Sequence, residues 1–255
     1  MHIVAICNWK EGSEELVQAL AGALGVTVYE ARQRMFGSGP AVVASFADQQ
    51  PALALAGKLN QSGIATLLLD ATAVRNSSGY FVVRRFEFKK WSVGIESSGG
   101  QRTEIPYDEI DLLLPCTSIS GVSEQKTITE RKLSIGKTIL SGGIPITTKV
   151  ERQETVTSEE RTKVLYLYAG KRPPVIFSQI GMTFDGLGEA MKLSRELNFA
   201  HLTNELRRLC LAAVFDDRLV SQMGQVRLLG PGLNPETNLN LAVEVLARSL
   251  RQRGA

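Results

Sequence analysis

The sequence predicts an α+β protein: a small βααβαβ domain, then an antiparallel sheet or partly open barrel closed by a C-terminal helix. Three observations predict it. Between Ser13 and Asp70 helical and strand spacings of apolar residues alternate, with turn residues at the changes. From Tyr80 the spacing becomes that of strands. From Asn198 it becomes helical again.

Ile3 to Cys7 is the first strand. Ser13 caps a first helix, with Glu14 and Glu15 in the turn where carboxylates favour the positive end of the helix dipole. Leu16, Leu20 and Leu24 recur at helical spacing, and Gly25 supplies the left-handed stop. Thr27 and Glu30 form a capping box for a second helix that Gly37 or Gly39 ends. Ala41 to Phe46 reads as a buried strand. Asp48 caps a third helix, in which Pro51 falls within the first turn and removes no intrahelical bond. Leu55 and Leu59 share its face, Gly63 closes it, and Ile64 to Leu69 is the last strand of the domain.

Asn8, Leu24-Gly25-Val26-Thr27, Glu30-Ala31 and Gly39-Pro40-Ala41-Val42-Val43 stand in an order and spacing that resemble the superfamily of the Clp protease adaptor ClpS and the ribosomal stalk protein C-terminal domain. The resemblance spans Ile3 to Asp70 and implies a module that docks proteins. Its functional positions match less well. Trp9 stands where the adaptor has an Asp after the Asn, the His-containing turn is missing between Met35 and Gly39, and the stalk domain's lysines fall near Tyr29 and Arg32. The resemblance therefore implies a changed ligand, with Asn8, Trp9, Tyr29 and Arg32 as the docking residues; Trp9 looks exposed in the strand-to-helix loop and reads equally as a contact or as core.

Composition narrows the classes. A chain of 255 residues with 44% hydrophobic content accommodates two globular domains. A formal charge of +3 demands neither nucleic acid nor membrane. Cys7, Cys116 and Cys210 are odd in number and far apart, without disulfide or zinc spacing. His2 and His201 are the only histidines, which leaves little for metal sites or His-based triads. Without a signal-peptide pattern or the ~18 consecutive apolar residues of a transmembrane helix, the expectation is a cytoplasmic protein.

The expected division is a docking domain over 1–72, a linker over 73–79, a second domain over 80–225 with a hairpin insertion at about 122–163, and a loop with an amphipathic helix over 226–255. In the second domain, strands are read around Phe86 and Phe88, at Trp91 to Ile95, Thr103 to Ile105, Ile110 to Leu114 with Pro115 as its stop, Val164 to Tyr168 and Val175 to Met182. Asn198 caps a helix striped by Leu202, Leu206, Leu209 and Ala213. This element order, with the corner Ile105-Pro106-Tyr107-Asp108-Glu109-Ile110, resembles bacterial pleckstrin-homology-like domains over Tyr80 to Val220, a fold that hosts lipid, peptide and structural roles. Beyond Gly230-Pro231-Gly232, a helix over Pro235 to Arg253 carries Leu239, Val243, Leu246 and Leu250 on one side and either packs on the body or binds a partner. Alternating runs on both sides of Gly142-Gly143 signal the hairpin, whose apolar face needs cover from the same chain, a second copy or a partner.

The chemical signals are weak. Gly136-Lys137-Thr138 resembles the end of a P-loop, but Arg131 replaces the earlier glycine and a strand is the better reading. Asp108-Glu109 and Asp216-Asp217 lack a His or a metal cluster beside them and read as surface or cap residues. Cys116 lacks a base and reads as a small buried residue. Arg84, Arg85, Lys89 and Lys90, interleaved with Phe86, Phe88 and Trp91, form the densest basic aromatic cluster and the alternative site, for an anionic headgroup or nucleic acid. The expectation is a non-enzymatic interaction protein without cofactor or metal, binding an unidentified protein. Self-association through the hairpin or the C-terminal helix is a further route, and nucleic acid is disfavoured.

Overall fold

The computed structural model describes residues 1–9, 13–37, 39–76, 79–133 and 147–253, with side chains excepted for 120–159 and 253. The first part has the expected order: β1 (His2–Cys7), α1 (Glu14–Leu24), α2 (Val28–Arg34), β2 (Ala41–Phe46), α3 (Gln49–Gln61) and β3 (Ala65–Asp70). Local chemistry sets these bounds. Gly25 ends α1 at φ 65°, and Thr27 and Glu30 close the capping box of α2 through Thr27 N to Glu30 Oε2 at 2.8 Å and Glu30 N to Thr27 Oγ1 at 3.2 Å. The strands form an antiparallel sheet in the order β2-β1-β3. Ala71–Arg75, expected at the domain boundary, is instead a short helix α4, because the Asp70 carboxylate accepts from the backbone of Thr72 and Ala73.

A second, seven-stranded sheet follows in the order β10-β7-β8-β9-β4-β5-β6. Its strands are β4 (Phe81–Phe88), β5 (Ser92–Ser97), β6 (Arg102–Pro106), β7 (Ile110–Leu133), β8 (Thr147–Ala169), β9 (Val175–Ser178) and β10 (Val214–Phe215). It is open and mixed: β4 runs parallel to β9 and β10 to β7, while β4–β5, β5–β6 and β8–β9 are antiparallel. Pro115 does not stop β7. Among the described residues β10 pairs with Leu112 and Leu113 alone, so no ladder described on that edge of β7 needs the missing N–H of Pro115.

Among the described residues three more α-helices follow α4: α5 (Arg195–Leu209), α6 (Gln222–Leu229) and α7 (Pro235–Arg253). Ser194 caps α5 through Leu197 N; Asn198, expected as the cap, is buried and its amide bonds both N and O of Lys192.

Residues 1–118 and 162–255 form one compact unit and 119–161 a second. Within the first unit the alternation of each strand assigns its faces. Val4 and Ile6 pack with Val17, Leu20 and Leu59 of α1 and α3. Ile3, Ala5, Leu67 and Leu69 join a cluster with Leu112, Leu114, Tyr166 and Tyr168 of the second sheet and with Leu241 to Leu246 of α7. The other face of that sheet, with Leu113, Leu165, Leu167 and Phe177, packs on Phe199, Leu202 and Leu206 of α5. α7 therefore lies between two sheets, which is why Leu241, Ala242, Val243, Val245 and Leu246 are all at most 2% exposed. Of the two expectations for this helix the structure shows packing on the body, over a wider face than the expected one-sided stripe, with Leu239 and Leu250 partly buried at its margin.

In the second unit, 119–133 and 147–161 are strand, continuing β7 and β8. The Gly142-Gly143 turn and Gly136-Lys137-Thr138 lie outside the described residues.

Candidate functional site

The turn between β4 and β5 is Lys89-Lys90-Trp91, and Tyr107, buried after β6, holds it at two points. The Tyr107 hydroxyl donates to the Lys89 carbonyl at 3.0 Å, and its backbone N–H donates to the Trp91 carbonyl at 3.1 Å. Lys89 N to Ser92 O at 2.9 Å closes the hairpin. Burial raises the Tyr107 hydroxyl above the usual phenol range. Trp91 is thus fixed at its backbone while its ring stays 73% exposed, with the Lys90 ammonium 4.9 Å from the ring centre.

The opposite wall comes from the end of α5. The apolar spacing Leu202, Leu206, Leu209, Ala213 runs past the helix end, but Cys210 leaves helical geometry and Ala213 N turns back to Cys210 O at 3.1 Å. Leu211, outside the stripe, lies in the turn that follows and is 92% exposed. Trp91, Tyr107, Leu209 and Leu211 line a groove of about 690 Å³, with Lys90 and Asp108 on its rim. A fixed Trp and a fully presented Leu facing one hollow can bury an incoming apolar side chain at low ordering cost.

The four basic residues of the alternative site are not brought together. A register shift between Val83 and Arg85 turns both Arg84 and Arg85 to solvent, while Phe86 enters the core. Arg85 and Lys89 line a hollow on the outer face of β4–β6 of about 560 Å³, and Lys90 lines the Trp91 groove. That outer face is interleaved with acid: Glu96 holds Arg102 at 2.8 Å and Glu104 holds Lys89 at 2.5 Å. Glu104 also accepts from the Ser92 hydroxyl, and Lys89 and Ser92 hold its carboxyl below the usual range.

The expected docking residues separate as well. Trp9 is 7% exposed: its Nε1 donates to the Met35 carbonyl at 2.9 Å and its ring covers Gly39. Of the two readings of Trp9 the structure shows core, so its place among the docking residues is corrected. Asn8 is exposed at φ 57°, Tyr29 is 68% exposed on α2, and Arg32 is exposed and paired with Glu14 of α1 at 2.6 Å.

The remaining chemical candidates are engaged. Cys116 is buried against the Val164 carbonyl, and desolvation pushes its thiol up to about 12. Asp216 binds Arg218 through both oxygens, at 2.9 and 2.7 Å, and Glu109 pairs with Arg172 at 2.8 Å. Among the described residues no three His, Cys, Asp or Glu side chains converge as a metal site, and no helix is long and apolar enough to cross a membrane.

No protein-family model matches the chain, and no curated protein or solved structure is significantly similar to it. The groove therefore stands on its own geometry. The basic aromatic spacing drew attention to Trp91, and the Ile105 to Ile110 corner to Tyr107. Leu211 was not singled out, because it falls between the stripe positions Leu209 and Ala213 and the spacing does not show that the helix ends at Leu209.

Proposed function

We propose that the chain acts by protein contact without a covalent step, and that the groove between Trp91 and Leu211 receives an apolar side chain of a protein partner. The observation that carries this reading is the pairing of a Trp 73% exposed with a Leu 92% exposed across one groove, the Trp on a turn that Tyr107 fixes. Neighbouring large apolar side chains left in water mark contact surfaces, and Trp is the residue most often found at their energetic centre. Lys90 and Asp108, opposite in charge on the rim, orient a partner and add little affinity. Tyr29, with Arg32 held by Glu14, offers the N-terminal module a second contact. The three cysteines are buried as thiols, which suits a reducing compartment such as the cytoplasm.

The test is a pull-down with the tagged full chain from lysate of the source organism, at about 0.1 and 0.5 M salt, against a Trp91→Ser, Leu211→Ser double variant. Proteins retained at high salt by the wild type and lost by the variant support the reading. An unchanged set overturns it. Nucleic acid or lipid alone, released by salt, would shift the reading to Arg84 and Arg85.

A further inference from the structure

A second groove lies in the N-terminal part, away from Trp91. The end of α1, the strand β2 and the helix α3 enclose about 530 Å³, lined by Leu24, Val26, Phe46 and Leu55 with Arg34 and Lys58. Its lining holds two cations and no carboxylate. Arg34 Nη1 donates to the Val43 carbonyl and Lys58 Nζ to the Gly22 carbonyl, both at 3.0 Å. Carbonyls orient these cations without neutralising them, and among the described residues neither forms an ion pair. Glu30, one turn before Arg34, gives its carboxylate to the backbone and hydroxyl of Thr27 and feels the Arg34 charge only as a weaker, through-space attraction.

From this charge asymmetry around an apolar floor we infer that the groove binds a segment of another protein carrying aliphatic or aromatic side chains flanked by Asp or Glu. The apolar side chains would settle between Leu24, Phe46 and Leu55, and the carboxylates would reach Arg34 and Lys58, which are already held in place. A peptide fits better than an acyl chain. Leu24, Val26, Phe46 and Leu55 are half-buried, so the groove is open on one side, and an acyl chain would leave much of its length in water. A peptide meets that side with its own polar backbone. This inference does not rest on the Trp91 groove.

The test is selection of random heptapeptides displayed against the full chain, followed by amide mapping of the isotope-labelled protein with the selected peptides. The expected result is enrichment of Leu, Ile or Phe together with Asp or Glu, saturable shifts at Leu24, Phe46 and Leu55, and about tenfold weaker binding by Lys58→Glu, since reversing an exposed charge costs one to two ion pairs. The wild type should likewise bind Gln-for-Glu versions of the peptides about tenfold more weakly, which needs no variant to fold. Four results would overturn it: no acidic enrichment, shifts confined to Trp91 and Leu211, dodecanoate occupying the groove in place of peptide, or a concentration-dependent dimer formed through this face.

Discussion

Arg218 donates to the carbonyl of Gly39, 179 positions earlier, while the same guanidinium grips Asp216. The Trp9 ring closes over Gly39 from another side. One peptide unit thus ties β1, the approach to β2 and the segment before α6.

Replacing Arg218 with Met should remove both guanidinium interactions, leaving the Gly39 carbonyl unsatisfied and the mostly buried Asp216 carboxylate with the backbone N–H of residue 218 at 3.2 Å but no cation. The expected loss is about 1–3 kcal/mol, read as a lower urea midpoint with an unchanged slope. An unchanged midpoint would mean that the contact contributes nothing net.

Gly39 and Gly25 offer a controlled pair. Both have positive φ, 70° and 65°, but a Cβ at Gly25 meets open space whereas one at Gly39 would run into the Trp9 ring. Gly25→Ala should cost about 1 kcal/mol, and Gly39→Ala should cost about 2–4 kcal/mol because packing strain adds to the backbone term. Equal losses in thermal melts would show that Trp9 yields freely.

The two tryptophans can be read one at a time. With Trp91→Phe, the remaining Trp9 should emit to the blue and resist iodide quenching. With Trp9→Phe, Trp91 should emit near 350 nm, roughly as free indole in water does, and quench readily, as its 73% exposure requires. Trp91→Phe should leave stability within about 0.5 kcal/mol of wild type, as a surface change should.

Alkaline pH should destabilise the fold. Burial pushes the Cys116 and Cys210 thiols up to about 12, and Tyr166 and Tyr168 shift upward for the same reason. Their ordinary values apply in the unfolded chain, which therefore loses protons first as pH rises. The stability is fully present below about pH 8.5 and declines from there toward pH 12, by at most about 1.4 kcal/mol per pH unit for each group. Denaturation midpoints at pH 7, 9 and 10 check it. A flat profile would mean that these groups titrate normally in the fold.

Much of the first sheet was legible because its signals are local. Gly25, the Thr27–Glu30 box and the alternation of Ile3 to Cys7 act within a few residues, and the helices and strands fall where these put them. The errors share a cause in long-range packing. Trp9 looked exposed because the chain that covers it, Met35 to Gly39, is distant in sequence. Leu211 drew no notice because it stands outside the Leu202, Leu206, Leu209, Ala213 spacing, which does not reveal that α5 stops two residues earlier. The charges at Arg84 to Lys90 looked like one patch because Glu96 and Glu104 come from neighbouring strands and the register shift is invisible in one strand alone.

The position of α7 between the sheets has a consequence for synthesis. Its side chains cover Ile3, Ala5, Leu67 and Leu69, yet they are translated more than 160 residues after Leu69. At ribosomal speed the inner face of the first sheet waits on the order of ten seconds or more for its cover. A nascent chain in that interval is a client for chaperones, and a premature stop before Leu241 leaves a product with a sticky sheet and no way to bury it.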